Sequence, residues 1–341
     1  MCEPFALATF ALARYTESMI DDRGRPTVLL DYSGVDDDPA VEDIFVYVRP
    51  ETNGVEIESR LLRVIKHCPA YRNGLDLVYM ANLPGEYILD RHIVERHYAH
   101  KLFFAVHGAP SFTPEMRDEF ERRSRSPFRS DCVLGGYQAL KILGMTPEEL
   151  FGIWVDDDSM ITVAGQTLKR IENYWVIGYD IPALLHKNTR NTDIAVMLFR
   201  SRVGYPYFVE LVERMYEQII DDGLVDRRIP RSRLFHYSRS PFEQVLDGSG
   251  YLIRSDGSPA GLDDLTFARY LERHGVPDRS IRGILRHPMF LWRPPNGERY
   301  EHDIYGETEH FSYPDALARL EEAVGQRLLV PWSPTAWESA A

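Results

Sequence analysis

Three stretches decide the fold class: IFVYVRP at residues 44–50, VEIESRLLRVIKHC at 55–68 and LDLVYMANL at 75–83. The first and third are short runs of β-branched and aromatic residues, the composition that suits a pleated, half-buried surface. The segment between them carries Ile57, Leu61, Leu62, Val64 and Ile65 at helical spacing, which predicts a helix with one buried face. Working outward, EYILDRHIVERHYAHK (86–101) reads as a second helix and LFFAVHG (102–108) as a third strand. A β-α-β-α-β order with short connections predicts an α+β protein, with a mixed sheet and packed helices over residues 40–110 in a ferredoxin-like or related sandwich.

Upstream, TVLLDYS follows the turn-forming DDRGRP and reads as a strand, as does the apolar run near the N-terminus. Downstream, Thr113-Pro114-Glu115 and Thr146-Pro147-Glu148 each present a cap followed by proline at the first helical position. Residues 160–179 read as a strand hairpin, 194–201 as a strand, and 207–223 as the most amphipathic helix of the chain. The C-terminal third is rich in loops, Pro and Arg, with short helices at 263–274, 278–286 and 314–326. A chain of 341 residues favours two domains, expected at 1–130 (α/β sandwich) and 131–341 (a second α+β domain).

Composition narrows the function classes. The net charge of −13 argues against general affinity for nucleic acid or anionic membrane. Cys2, Cys68 and Cys132 are an odd set without metal-ligand spacing, which predicts free thiols and a cytoplasmic location. The first residues lack the basic start of a signal peptide, and no apolar run reaches the length of a membrane span. None of the common phosphate-loop, dinucleotide, zinc-protease, nucleophile-elbow or EF-hand motifs is present in the sequence.

Several polar clusters remain. His97 and His100, three residues apart, share a helical face, but no third metal ligand goes with them, so no metal site is expected. Asp156, Asp157 and Asp158 suit a solvated turn better than a magnesium site. SRSPF occurs at both 124–128 and 238–242, and a shared helix start or chance explains it better than duplication.

The segment Asp180–Asp193 gathers His186, Lys187 and Arg190 with Asn and Thr donors, and Lys187 is one of only five lysines. Such a loop can cradle a phosphate or carboxylate. A second basic run, 227–239, adds Arg227, Arg228, Arg231, Arg233, His236 and Arg239. The sequence therefore predicts a protein that binds or acts on an anionic small molecule. His186 is the candidate acid–base group, and Lys187, Arg190, Arg233 and Arg239 are the candidate anion-binding residues. The cofactor is left unspecified, homo-oligomerisation stays open, and no nucleic-acid or membrane partner is expected. The alternative is a non-catalytic structural or protein-interaction module whose charged loops are solvated surface.

Overall fold

The structure is a computed structural model and describes residues 24–49, 54–69, 74–229, 234–293 and 297–329. The expected N-terminal strand and Arg231 and Arg233 lie outside the described residues. In chain order the elements begin with β1 (Thr27–Leu30), β2 (Glu42–Val48), α1 (Val55–His67), β3 (Leu75–Leu83), α2 (Gly85–Asp90), α3 (Ile93–His97) and α4 (Ala99–His107). They continue with α5 (Pro114–Ser124), β4 (Val133–Gly135), α6 (Gly136–Leu143), α7 (Pro147–Gly152), β5 (Met160–Val163), β6 (Gln166–Ile171), β7 (Tyr174–Ile177), α8 (Ile181–His186) and β8 (Ile194–Ser201). The last are α9 (Tyr205–Asp221), β9 (Phe235–Tyr237), α10 (Pro241–Tyr251), α11 (Thr266–Arg273), α12 (Asp278–Arg286), β10 (Met289–Trp292), β11 (Tyr300–Asp303), α13 (Ile304–Glu307), α14 (Tyr313–Glu321) and β12 (Gly325–Gln326). The α+β class predicted from the sequence is the observed one.

Two compact units interleave along the chain. The first comprises Met1–Ile93, Asn188–Asp278 and Glu309–Ala316; the second comprises Val94–Lys187, Arg279–Thr308 and Leu317–Ala341.

The first unit is built on a five-stranded antiparallel sheet of order β1-β3-β8-β2-β9. Two β-α-β halves, β2-α1-β3 and β8-α9-β9, interleave so that β8 lies between the strands of the first half. That is the split arrangement in which helices gather on one face. Ile44, Val46 and Val48 of β2, Met197 and Phe199 of β8, and Phe235 of β9 meet Leu61, Ile65, Phe208, Leu211 and Met215 of α1 and α9 in one apolar core. Period-two alternation then turns Asp43, Phe45, Tyr47, Arg200 and His236 to the opposite face. That face is not open: α10 and α11 pack on β2, and every residue of β2 is buried.

One expectation fails. Residues 102–108 are not a strand but the body of α4, and the predicted helix 86–101 is three short helices. The third central strand is β8, more than a hundred residues after β3 in sequence. Phe104 and Ala105 are fully buried. A short run of consecutive apolar residues carries no period that separates helix from strand, and LFFAVHG has no turn signal before it.

In the second unit β4-β7-β6-β5 form a mixed sheet, parallel at β4/β7 and antiparallel elsewhere. Phe104, Phe112, Met116, Phe120, Leu168 and Trp175 centre its core. A three-stranded sheet, β11-β10-β12, also belongs to it. Among the described residues no helix is long and apolar enough to cross a membrane.

Candidate functional site

Of the predicted anion-binding residues, Lys187, Arg190 and Arg239 have carboxylate neighbours. His186 is the exposed last residue of α8, and Lys187 lies 3.7 Å from Glu148. Both belong to the second unit, whereas Arg190 and Arg239 belong to the first. Arg190 donates to Glu86 at 2.5 Å and to Asp90 at 3.2 Å. Arg239 lies 3.3 Å from Glu309 and 3.9 Å from Glu243. Arg227 and Arg228 pair with Asp221 and Asp226. Arg233 lies outside the described residues.

A denser polar constellation occupies the face of the first sheet that α10 covers. Helix α10 starts at Ser240, whose side chain accepts from the Glu243 N–H at 3.2 Å, with Pro241 at the first helical position. This second SRSPF copy is a helix start. The first copy is not, because Ser126 and Pro127 follow α5 without opening a helix. From that start, Glu243 and Asp247 fall four residues apart on one side of α10. Both are buried. The helix can lie this close to the following loop because residue 248 is glycine: a Cβ there would sit 2.3 Å from Leu265 Cδ2.

Opposite these acids, β9 places His236. Its Nε2 lies 3.3 Å from Asp247 Oδ2 and 3.7 Å from Glu243 Oε1. A carboxylate can only accept, so Nε2 carries the proton toward Asp247. The imidazole stacks on Tyr47 at 4.4 Å between centroids, and Tyr47 in turn lies 4.7 Å from Tyr251. The Ser238 hydroxyl donates to Asp247 Oδ2 at 2.7 Å and accepts from the Phe45 N–H at 3.1 Å. Serine and histidine thus converge on the same aspartate rather than on each other. Ser238 fixes the carboxylate, and the arrangement is a His–Asp dyad, not a nucleophilic triad.

A hydrogen-bonded chain continues from this dyad across the face. The Ser238 carbonyl accepts from Tyr205 OH (3.2 Å), Tyr205 OH accepts from Gln244 Nε2 (2.8 Å), and Tyr313 OH donates to Gln244 Oε1 (2.9 Å). Tyr313 OH also accepts from the Asp43 N–H at 3.1 Å. Asp43 forms a bidentate pair with Arg200, at 2.8 and 2.9 Å, and also accepts from Tyr32 OH and Thr266 Oγ1. Beside it lies a small gap of about 10 Å³, room for no more than about one water, lined by Tyr32, Asp43, Gln244 and Thr266 among others. Burial drives the phenols of Tyr205 and Tyr313 well above the usual tyrosine range, so both stay protonated as donors.

No protein-family model, curated protein or solved structure matches this chain. The site therefore has to be read from its own chemistry. His236 was visible in the sequence only as one member of an arginine-rich run. Glu243, Asp247 and Ser238 gave a fainter signal: two acids spaced by four on PFEQVLDGSGY, a helix otherwise suited to a core.

Proposed function

We propose that the first unit carries an acid–base site whose working group is the His236 imidazole, acting on a small neutral or cationic molecule. The observation that carries this reading is the placement of Nε2 between Asp247 and Glu243, with Asp247 itself anchored by Ser238. An aspartate behind an imidazole selects its tautomer and stabilises the cation formed when the other ring nitrogen takes a proton. Tyr47, stacked on the ring, holds its plane.

Charge selects the ligand class. Among the described residues Glu243, Asp247 and Glu309 face His236, Arg239 and His310, of which only Arg239 carries a fixed positive charge, so the local balance is acidic as long as the imidazoles are neutral. An anion would have to displace such carboxylates here, as it would at Lys187 and Arg190.

The test compares wild type with His236→Gln in a thermal-shift screen of amines, amides, neutral sugars, carboxylates and phosphates. A ligand bound by the native state raises Tm. A neutral or cationic compound should stabilise wild type and not the variant. If only phosphates or carboxylates act, and act equally on both proteins, the reading returns to the Lys187–Arg190 loop. If no compound separates the two proteins, the non-catalytic module is the better description.

A further inference from the structure

A second cluster, distant in sequence from His236 and independent of the reading above, lies at α1 and the facing ends of β3 and β8. Glu58 occupies the core-facing stripe of α1, three and seven residues before Leu61 and Ile65. It is only 7% exposed, and its Oε1 has no hydrogen-bond partner. Asn82 of β3 faces the same helical layer as Met80 two residues earlier. It is 4% exposed; its Nδ2 donates to Asp193 Oδ2 at 3.1 Å, and its Oδ1 has no partner.

Asp193 ends the loop before β8, and its other oxygen accepts from the Gly85 N–H at 3.3 Å. Gly85 is required there, because a Cβ would sit 2.2 Å from the Thr189 carbonyl oxygen. Burial pushes the Glu58 carboxyl up to about 7, with the Asp193 charge adding to the rise.

Two buried acceptor atoms without donors, one on an amide bonded to Asp193 and one on a carboxyl that the Asp193 charge acts on, are unfavourable as they stand. A buried polar group left unsatisfied is destabilising, and a like charge adds to it. A cation removes all three penalties at once. The donors are oxygen only, two carboxylates and one amide carbonyl, and oxygen sets suit hard ions rather than zinc or copper. Two carboxylates balance a double positive charge, and three protein donors leave coordination positions for water.

We propose that Glu58, Asn82 and Asp193 bind a hard divalent cation, Mg²⁺ or Ca²⁺. The loop that the sequence marked as anion-binding then contributes through its acidic end, Asp193, not through Lys187 or Arg190. The competing arrangement is a Glu58 carboxyl that simply stays protonated.

The experiment uses the full chain, treated with chelator and dialysed at pH 8, where Glu58 is ionised. Tm is followed while MgCl₂, CaCl₂ or, at matched ionic strength, KCl is added to wild type, Glu58→Gln, Asp193→Asn and Asn82→Asp. Wild type should show a saturable rise of roughly 5 °C with one or both divalent ions and none with KCl. Glu58→Gln and Asp193→Asn should lose that rise. Asn82→Asp, which adds a carboxylate, should lower Tm without the ion and widen the response to it, so a poorly folding Glu58 variant does not decide the outcome. The larger of the Mg²⁺ and Ca²⁺ responses identifies the ion. An unchanged wild-type Tm, or an equal rise in Glu58→Gln, overturns the proposal in favour of a protonated carboxyl.

Discussion

Asp43→Asn changes almost nothing in shape and removes one charge from a buried carboxylate of the first unit that accepts four side-chain hydrogen bonds. That carboxylate accepts from Arg200 Nε and Nη2, Tyr32 OH and Thr266 Oγ1, at 2.8, 2.9, 2.8 and 2.6 Å. The Arg200 side chain is 8% exposed, and its remaining hydrogen-bond partners among the described residues are neutral: the Gly34 carbonyl at 2.6 Å, Ser33 Oγ at 3.3 Å and Tyr32 OH, with the Asp36 charge acting only through space. Removing one partner of a buried ion pair strands the other and costs about 3–5 kcal/mol. For a unit of this size each kcal/mol is worth about 2–4 °C, so Tm should fall by about 6–20 °C. Calorimetry and urea denaturation read the change. A second variant separates the stranded charge from lost packing: Asp43→Leu combined with Arg200→Met removes both charges and should recover most of the loss. The residual deficit should be about 1–3 kcal/mol, from the Tyr32 and Thr266 hydroxyls left without their acceptor. A loss below about 1 kcal/mol in Asp43→Asn, or a double variant no better than the single one, would refute the argument that this pair is held by its charge.

Three further outcomes follow from the same physics. Burial pushes the Glu42 carboxyl up to about 7, and its Oε2 has no partner, so the folded state binds this proton more tightly than the unfolded chain does. The contribution of this one group to stability is then fully present below about pH 4.5 and falls by about 3 kcal/mol as pH rises through 7; Glu42→Gln should gain Tm over wild type at pH 8 and not at pH 4.5, and equal gaps at both would sink the idea. In the second unit, burial pulls His100 down to about 3, against the Asp303 charge that opposes the shift. The unfolded chain takes up this proton first, so stability is lost as pH falls from about 6.5 toward 3; His100→Gln should flatten that decline, and a wild-type slope in the variant would count against it. Gly85→Ala should cost about 1–3 kcal/mol in urea denaturation, because its Cβ would press on the Thr189 and Thr192 carbonyls at 2.2 and 2.8 Å; a neutral result would show that the loop gives way without penalty.

Much of the element list was legible, and its failures have a common cause. β2, α1 and β3 sit within two residues of their expected positions, as do β8, α9 and α12, because each has one buried face or strong β-composition. α5 and α7 start where Thr-Pro-Glu places them, with Thr113 and Thr146 as caps. Residues 102–108 were misread because α4 is apolar throughout its second half, so its period is hidden. The repeated SRSPF, read as a shared helix start or as chance, opens a helix only at its second copy, where Ser240 is the cap. The buried acids were missed for a related reason. Glu58, Asp43 and Asp247 look like surface charges by residue type, and nothing local distinguishes a carboxylate that will meet arginine, histidine or a second carboxylate in the core.

By itself the sequence determined what depends on near neighbours: the α+β class, the Thr113 and Thr146 helix caps, the net charge and the apolar stripe of α1. It also determined that Cys68 and Cys132 would be free, since no nearby cysteine spacing favours a pair. Only the tertiary structure decided which strands meet and which charges they carry with them. Placing β8 between β3 and β2 brings Arg200 to Asp43 from 157 positions away. Setting α10 over that sheet brings Asp247 to His236, and seating α1 against its other face buries Glu58 in the layer that Asn82 faces. Those encounters follow from strand order and register, which the loop lengths permit in several ways and which close packing of the whole unit resolves to one.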